Sequence, residues 1–183
     1  MTITTMPNEI RRYAWPATLA TATILGSLAA ACMMPFVALA VITAATMSRS
    51  RGLVTIGAIW ATNQILGFTI MGYPQTGYAF AWGVALGVAS ILALLVARGI
   101  FFARTGITTI RMVGAFVLAF AIFEGGLFGF ALIAGGTETF SASIIGQILT
   151  NDAMWFAGLA LMYLLLTRAA PNVFGPSPSV RLV

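Results

Sequence analysis

Read along its length, the chain alternates long apolar runs with short breaks that carry arginine, glycine, proline or tyrosine. The runs fall at Ala14–Ala31, Phe36–Met47, Leu53–Gly72, Thr76–Ala97, Met112–Ala134 and Ser143–Thr167. An α-helix rises about 1.5 Å per residue, so about 20 apolar residues cross a hydrocarbon layer about 30 Å thick. The last four runs meet that length. The first two belong to one uncharged stretch from Ala14 to Met47, which is too long for a single crossing and contains Pro35. The residue before a proline is driven away from helical backbone. Cys32-Met33-Met34-Pro35 is therefore the expected break, leaving a full first helix and a short second one. The pattern predicts an all-α polytopic membrane bundle of six transmembrane helices with a short second helix, in one transmembrane domain over residues 1–170.

The arginines orient this bundle. With Arg11 and Arg12 in the cytoplasm, two crossings return Arg49 and Arg51 to the same side. Two more return Arg98, Arg104 and Arg111, and the last pair returns Arg168 and Arg181. Every arginine then lies on one face, as the positive-inside rule requires, whereas one crossing before Arg49 would split them. Both termini are expected in the cytoplasm, in a multi-pass protein of a bacterial inner membrane. The outer connections become Cys32–Pro35, Tyr73–Tyr78 and Gly135–Phe140, with Glu138 as their one charge. The segment 171–183, with Pro176-Ser177-Pro178-Ser179, predicts a disordered cytoplasmic tail. The N-terminus also has a secretory-signal look, with Arg11-Arg12, an apolar stretch and Leu28-Ala29-Ala30-Ala31-Cys32. Against that reading, the chain continues at once into apolar sequence after Cys32.

Composition narrows the chemistry. The 183 residues are 60% hydrophobic and 7% charged, with nine arginines and no lysine, and their mean hydropathy is +1.01. Soluble domains carry about 25% charged residues, so a soluble enzyme is excluded. A net charge of +5 comes from scattered arginines rather than a basic stripe, which argues against nucleic acid. No histidine is present, which removes imidazole triads and imidazole metal sites. A single cysteine forbids an internal disulfide. There is no phosphate-binding GxxxxGK[ST] loop, so no ATP chemistry is expected. The expectation is a non-enzymatic membrane protein with no intrinsic cofactor.

Within the spans, Glu124 is the strongest signal. A carboxyl group at mid-membrane costs about 2.5–3.5 kcal/mol on insertion scales, so it should face the bundle interior. Asp152 in the sixth run and Asn63 and Gln64 in the third lie at similar depth. Together they suggest one buried polar site for a substrate, a cation or a proton; the alternative is an interhelical hydrogen-bond network that only holds the helices together. Glu138 in the third outer connection joins the substrate-binding candidates. Tyr78 and Trp82 stand four apart on one helix face, placed to stack on a planar ligand, or else to anchor the protein at the membrane interface. Cys32-Met33-Met34 offers soft sulfur ligands, with Cys32 the candidate metal ligand, although buried Cys and Met more commonly fill space. Small residues recur at four-residue spacing in Ala22/Gly26/Ala30, Gly83/Gly87 and Gly125/Gly129, which lets helices approach closely. The Ala22, Gly26, Ala30 face is a candidate docking surface for a membrane partner subunit. Glu124 and Asp152 form a conceivable acid pair for a membrane enzyme, but no nucleophile and base accompany them.

The six-helix architecture and the Ala22-x3-Gly26-x3-Ala30 face resemble the substrate-binding S-components of energy-coupling-factor vitamin transporters. That resemblance implies a substrate pocket near the outer face, energy supplied by partner subunits and, in the solitary cobalamin-transporter branch, a cysteine that ligates cobalt. Cys32 is the only residue here that matches such a role, and a corrinoid becomes the leading ligand. Cys32-x2-Pro35-Phe36-Val37-Ala38-Leu39-Ala40, with Asn63-Gln64 and Gly72-Tyr73-Pro74, is also similar to an uncharacterised group of proteobacterial membrane proteins. The expected function is membrane binding or transport of a small micronutrient. A non-transporting structural or assembly subunit of a larger membrane complex is the alternative.

Overall fold

The computed structural model describes residues 8–29, 34–102 and 108–175. Six helices follow the six apolar runs: α1 (Asn8–Ala29), α2 (Phe36–Thr46), α3 (Arg49–Thr69), α4 (Gly77–Phe102), α5 (Thr109–Ala134) and α6 (Ala142–Ala169). A 3-10 turn at Thr137–Phe140 lies between α5 and α6, and a helical turn, α7 (Pro171–Phe174), closes the described chain. The helices outrun the apolar runs at their arginine-bearing ends. Backbone hydrogen bonding continues into the interface, where long arginine side chains keep their charge in water.

The fold is an all-α membrane helical bundle. Among the described residues, α4, α5 and α6 are long and apolar enough to cross a membrane. At 22 and 21 residues, α1 and α3 have comparable length but lower apolarity. Threonines dilute the first, and Asn63 and Gln64 the second.

The organising element is α2. Its 11 residues span about 16 Å, roughly half a hydrocarbon layer. Every residue from Phe36 to Ala44 is buried, because α3, α4, α5 and α6 all pack around it. A helix apolar on all sides has to be enclosed in this way. Close approach is achieved with alanine: α2 contributes Ala38, Ala40 and Ala44, α4 contributes Ala89, Ala93 and Ala97, and α5 contributes Ala115 and Ala119, all buried.

Side chains at one end tie the bundle into a register. Trp15, near the start of α1, donates from Nε1 to Thr46 Oγ1 at the end of α2 (2.9 Å). Its ring lies 4.7 Å from that of Tyr163, late in α6. Arg98, late in α4, donates from Nη1 to the Met47 carbonyl that ends α2 (2.9 Å). The start of α1 therefore lies at the same end as the finish of α2, α4 and α6, as an even number of crossings demands. The tail expected from Pro171 onward needs correction at its beginning. Residues Pro171–Phe174 form α7, which packs on α1 and α6, with Phe174 against the core. Proline at the first helical position and an apolar valine and phenylalanine suit such a turn.

Candidate functional site

A cavity of about 550 Å³ opens at the end of the bundle opposite the arginines. It lies among the start of α2, the second half of α3, the start of α4, the middle of α5, the 3-10 turn and the first half of α6. Two connections wall its mouth. Between α3 and α4, Gly72 takes φ +73°, which only glycine adopts freely, and Tyr73 and Pro74 face the cavity. Between α5 and α6, Gly135 and Gly136 take φ +91° and +100° in succession. A Cβ on Gly136 would stand 3.1 Å from the Tyr78 hydroxyl and 3.2 Å from the Trp82 ring. Tyr78 also donates to the Gly135 carbonyl (3.3 Å). The glycine pair thus lets this connection lie directly on the aromatic start of α4.

At the floor is the N-terminus of α2, whose first amides have no partner within their own helix. Pro35, the residue before the helix, has no side chain able to cap it. The cap arrives from α6 instead: Asp152 Oδ1 accepts from the Ala38 amide at 2.9 Å, and the Val37 amide bonds the same carboxyl group. Asp152 is 2% exposed. An acid at the positive end of a helix is also favoured by the helix dipole. Asp152 therefore has a structural task as well as a place in the cavity wall, and its burial is explained by α2.

Among the described residues, Glu124 has no such partner. It is 8% exposed on α5, faces the cavity, and its Oε1 lies buried without a hydrogen bond. Buried polar groups are nearly always hydrogen-bonded, and an orphan in a cavity wall points to an occupant. The Trp82 indole Nε1 is a second buried atom without a partner, in the same wall. One of these orphans accepts and the other donates.

Asn63, Gln64, Tyr78, Trp82, Glu124 and Asp152 all line this one cavity. Gln64 fits because Gly83 on α4 leaves room, since an added Cβ there would collide with its Oε1. Glu138 does not line the cavity. The 3-10 turn presents Thr139 and Phe140 to it and leaves Glu138 exposed. Cys32 and Met33 lie outside the described residues, as does Ala30, while Met34 lines the cavity. Gly26 is covered from within the chain, because a Cβ at that position would strike the Trp155 ring of α6. Among the described residues, no group of three or more His, Cys, Asp or Glu side chains is placed to hold a metal ion.

Sequence reasoning overlooked the apolar half of the site. Phe36, Phe68, Phe123, Phe140, Ile144 and Ile148 supply much of the wall. In a chain that is 60% hydrophobic their type carries no signal, and only the fold distinguishes them from lipid-facing neighbours. The site is thus an apolar, aromatic chamber with a few convergent polar groups, the usual makeup of a small-molecule site. No protein-family model, curated protein or solved structure matches the chain.

Proposed function

We propose that this protein is a substrate-binding or transport component for a small micronutrient, set in a bacterial inner membrane with its cavity open to the outer face. The observation that carries the reading is the buried, unpartnered Glu124 carboxyl oxygen in the wall of a chamber of about 550 Å³. That volume lies within the range of about 300–1,000 Å³ that encloses small organic ligands, and it favours a molecule smaller than a whole corrinoid. Arginine placement supports the outward opening, since Arg49, Arg51, Arg98, Arg111 and Arg168 all lie toward the opposite end. With no nucleotide-binding loop in the sequence, energy for transport would come from partner subunits or an ion gradient.

The test is native mass spectrometry after mild detergent extraction, with uptake measured for whatever molecule is retained. Ile148→Trp, which fills the chamber from α6, should abolish retention and uptake while the melting temperature holds. A wild-type protein that retains nothing, together with an Ile148→Trp strain that grows and takes up micronutrients normally, would overturn the reading. The assembly-subunit alternative draws on a different observation: among the described residues, a Cβ added at Gly125 or Gly129 of α5 would meet nothing within 4 Å beyond its own helix backbone. It predicts stable co-purification of a membrane partner that Gly125→Leu disrupts.

A further inference from the structure

The two orphaned atoms and the charges around them restrict what the chamber accepts. The charged side chains in its wall are Glu124 and Asp152, and no arginine stands among them. Their situations differ. Asp152 is offset by the amides and the positive end of α2. Among the described residues Glu124 Oε1 has no partner and no cationic side chain lines the wall with it, and a buried carboxyl oxygen in that situation is an unfavourable arrangement in a protein interior. The same chamber is lined by Phe68, Phe123, Phe140, Tyr78 and Trp82, a class of side chain whose ring faces attract cations and stack on flat molecules. Trp82 Nε1 still requires an acceptor.

We infer that the chamber selects a singly charged organic cation on a planar aromatic body, with its ammonium group against Glu124 and a hydrogen-bond acceptor toward the Trp82 indole. This rests on the chamber being the ligand site, and it adds the sign of the ligand's charge. A carboxylate or phosphate ligand would meet two acids and no base, and is excluded.

The experiment uses the full-length protein, washed in detergent, and calorimetric titration with three probes that share one ring system: tryptamine, its neutral alcohol tryptophol, and the anion indole-3-acetate. Tryptamine should bind about tenfold or more tighter than tryptophol, and indole-3-acetate should not bind. Glu124→Gln should erase the preference for tryptamine and leave tryptophol unchanged. Without ligand, Glu124→Gln should melt no lower than wild type, because an uncompensated buried acid is lost; a drop of several degrees would mark Glu124 as structural and overturn the inference. Equal binding of the three probes, or a preference for the anion, would overturn the charge selection while the cavity reading stands. If no probe binds at millimolar concentration, the charge selection fails, while the site reading stands or falls separately on the molecule retained in mass spectrometry and lost in Ile148→Trp.

Discussion

The two ends of α2 make opposite use of the same problem. Each end of a short buried helix exposes unpaired backbone groups and a partial charge. At the finish, Arg98 reaches the Met47 carbonyl and Trp15 bonds Thr46, so α1, α2 and α4 close over one another. At the start, Asp152 supplies the cap, but the helices splay around it into a chamber and leave Glu124 and Trp82 unsatisfied. One end is capped by its own chain, with the buried Arg98 Nε left over. The other is capped from α6 and leaves an unpaired acceptor and an unpaired donor in the wall of a chamber. Polar groups in a membrane interior thus divide into those that a backbone explains and those that it does not.

Five substitutions sharpen this contrast. The largest effect is expected for Asp152→Ala, which strands the Ala38 and Val37 amides; at about 1–3 kcal/mol per orphaned group, a loss of about 2–6 kcal/mol should appear in an SDS unfolding titration. Asp152→Asn keeps an acceptor oxygen and should lose about half as much. Next comes Arg98→Met, expected to cost about 1–2 kcal/mol through the lost contact with Met47 while leaving ligand affinity unchanged. An Arg98 variant that weakens binding as strongly as stability would show that the two ends are not separable. A matched pair on the helix faces closes the series, and its second member is the smallest effect. Gly87→Val should cost about 1–3 kcal/mol, since its Cβ would lie 2.7 Å from the Trp60 ring. Gly129→Val, with open space around it, should stay within about 0.5 kcal/mol.

Much of the architecture was readable without coordinates. Pro35 broke the long first run, the spacing of the arginines required an even number of crossings, and the helices formed where the apolar runs lay. The polar candidates also converged, because in a membrane interior every Asn, Gln, Asp or Glu must turn away from lipid, and the shared interior is small. What resisted reading was the division of labour among them. Asp152 and Glu124 look alike as acids at mid-span, yet one caps an amide 114 positions away in the chain and the other caps nothing. Such pairing depends on which helix lies beside which, and local sequence carries no record of that. Glu138 was misleading for a different reason. In a four-residue 3-10 turn successive side chains point in different directions, so the two residues after it face the chamber while it faces away.

The reach from Ala38 to Asp152 also sets an order of events during synthesis. At about 5–20 residues per second, the ribosome needs roughly 6–23 s to travel the 114 residues that separate the two. Through that interval the half-length helix has left the ribosome without its acidic lid. At 11 residues it is shorter than an ordinary span, and of the four helices that pack around it α6 is made last. The second helix of this protein therefore comes to rest late, and the last one to be made locks it in.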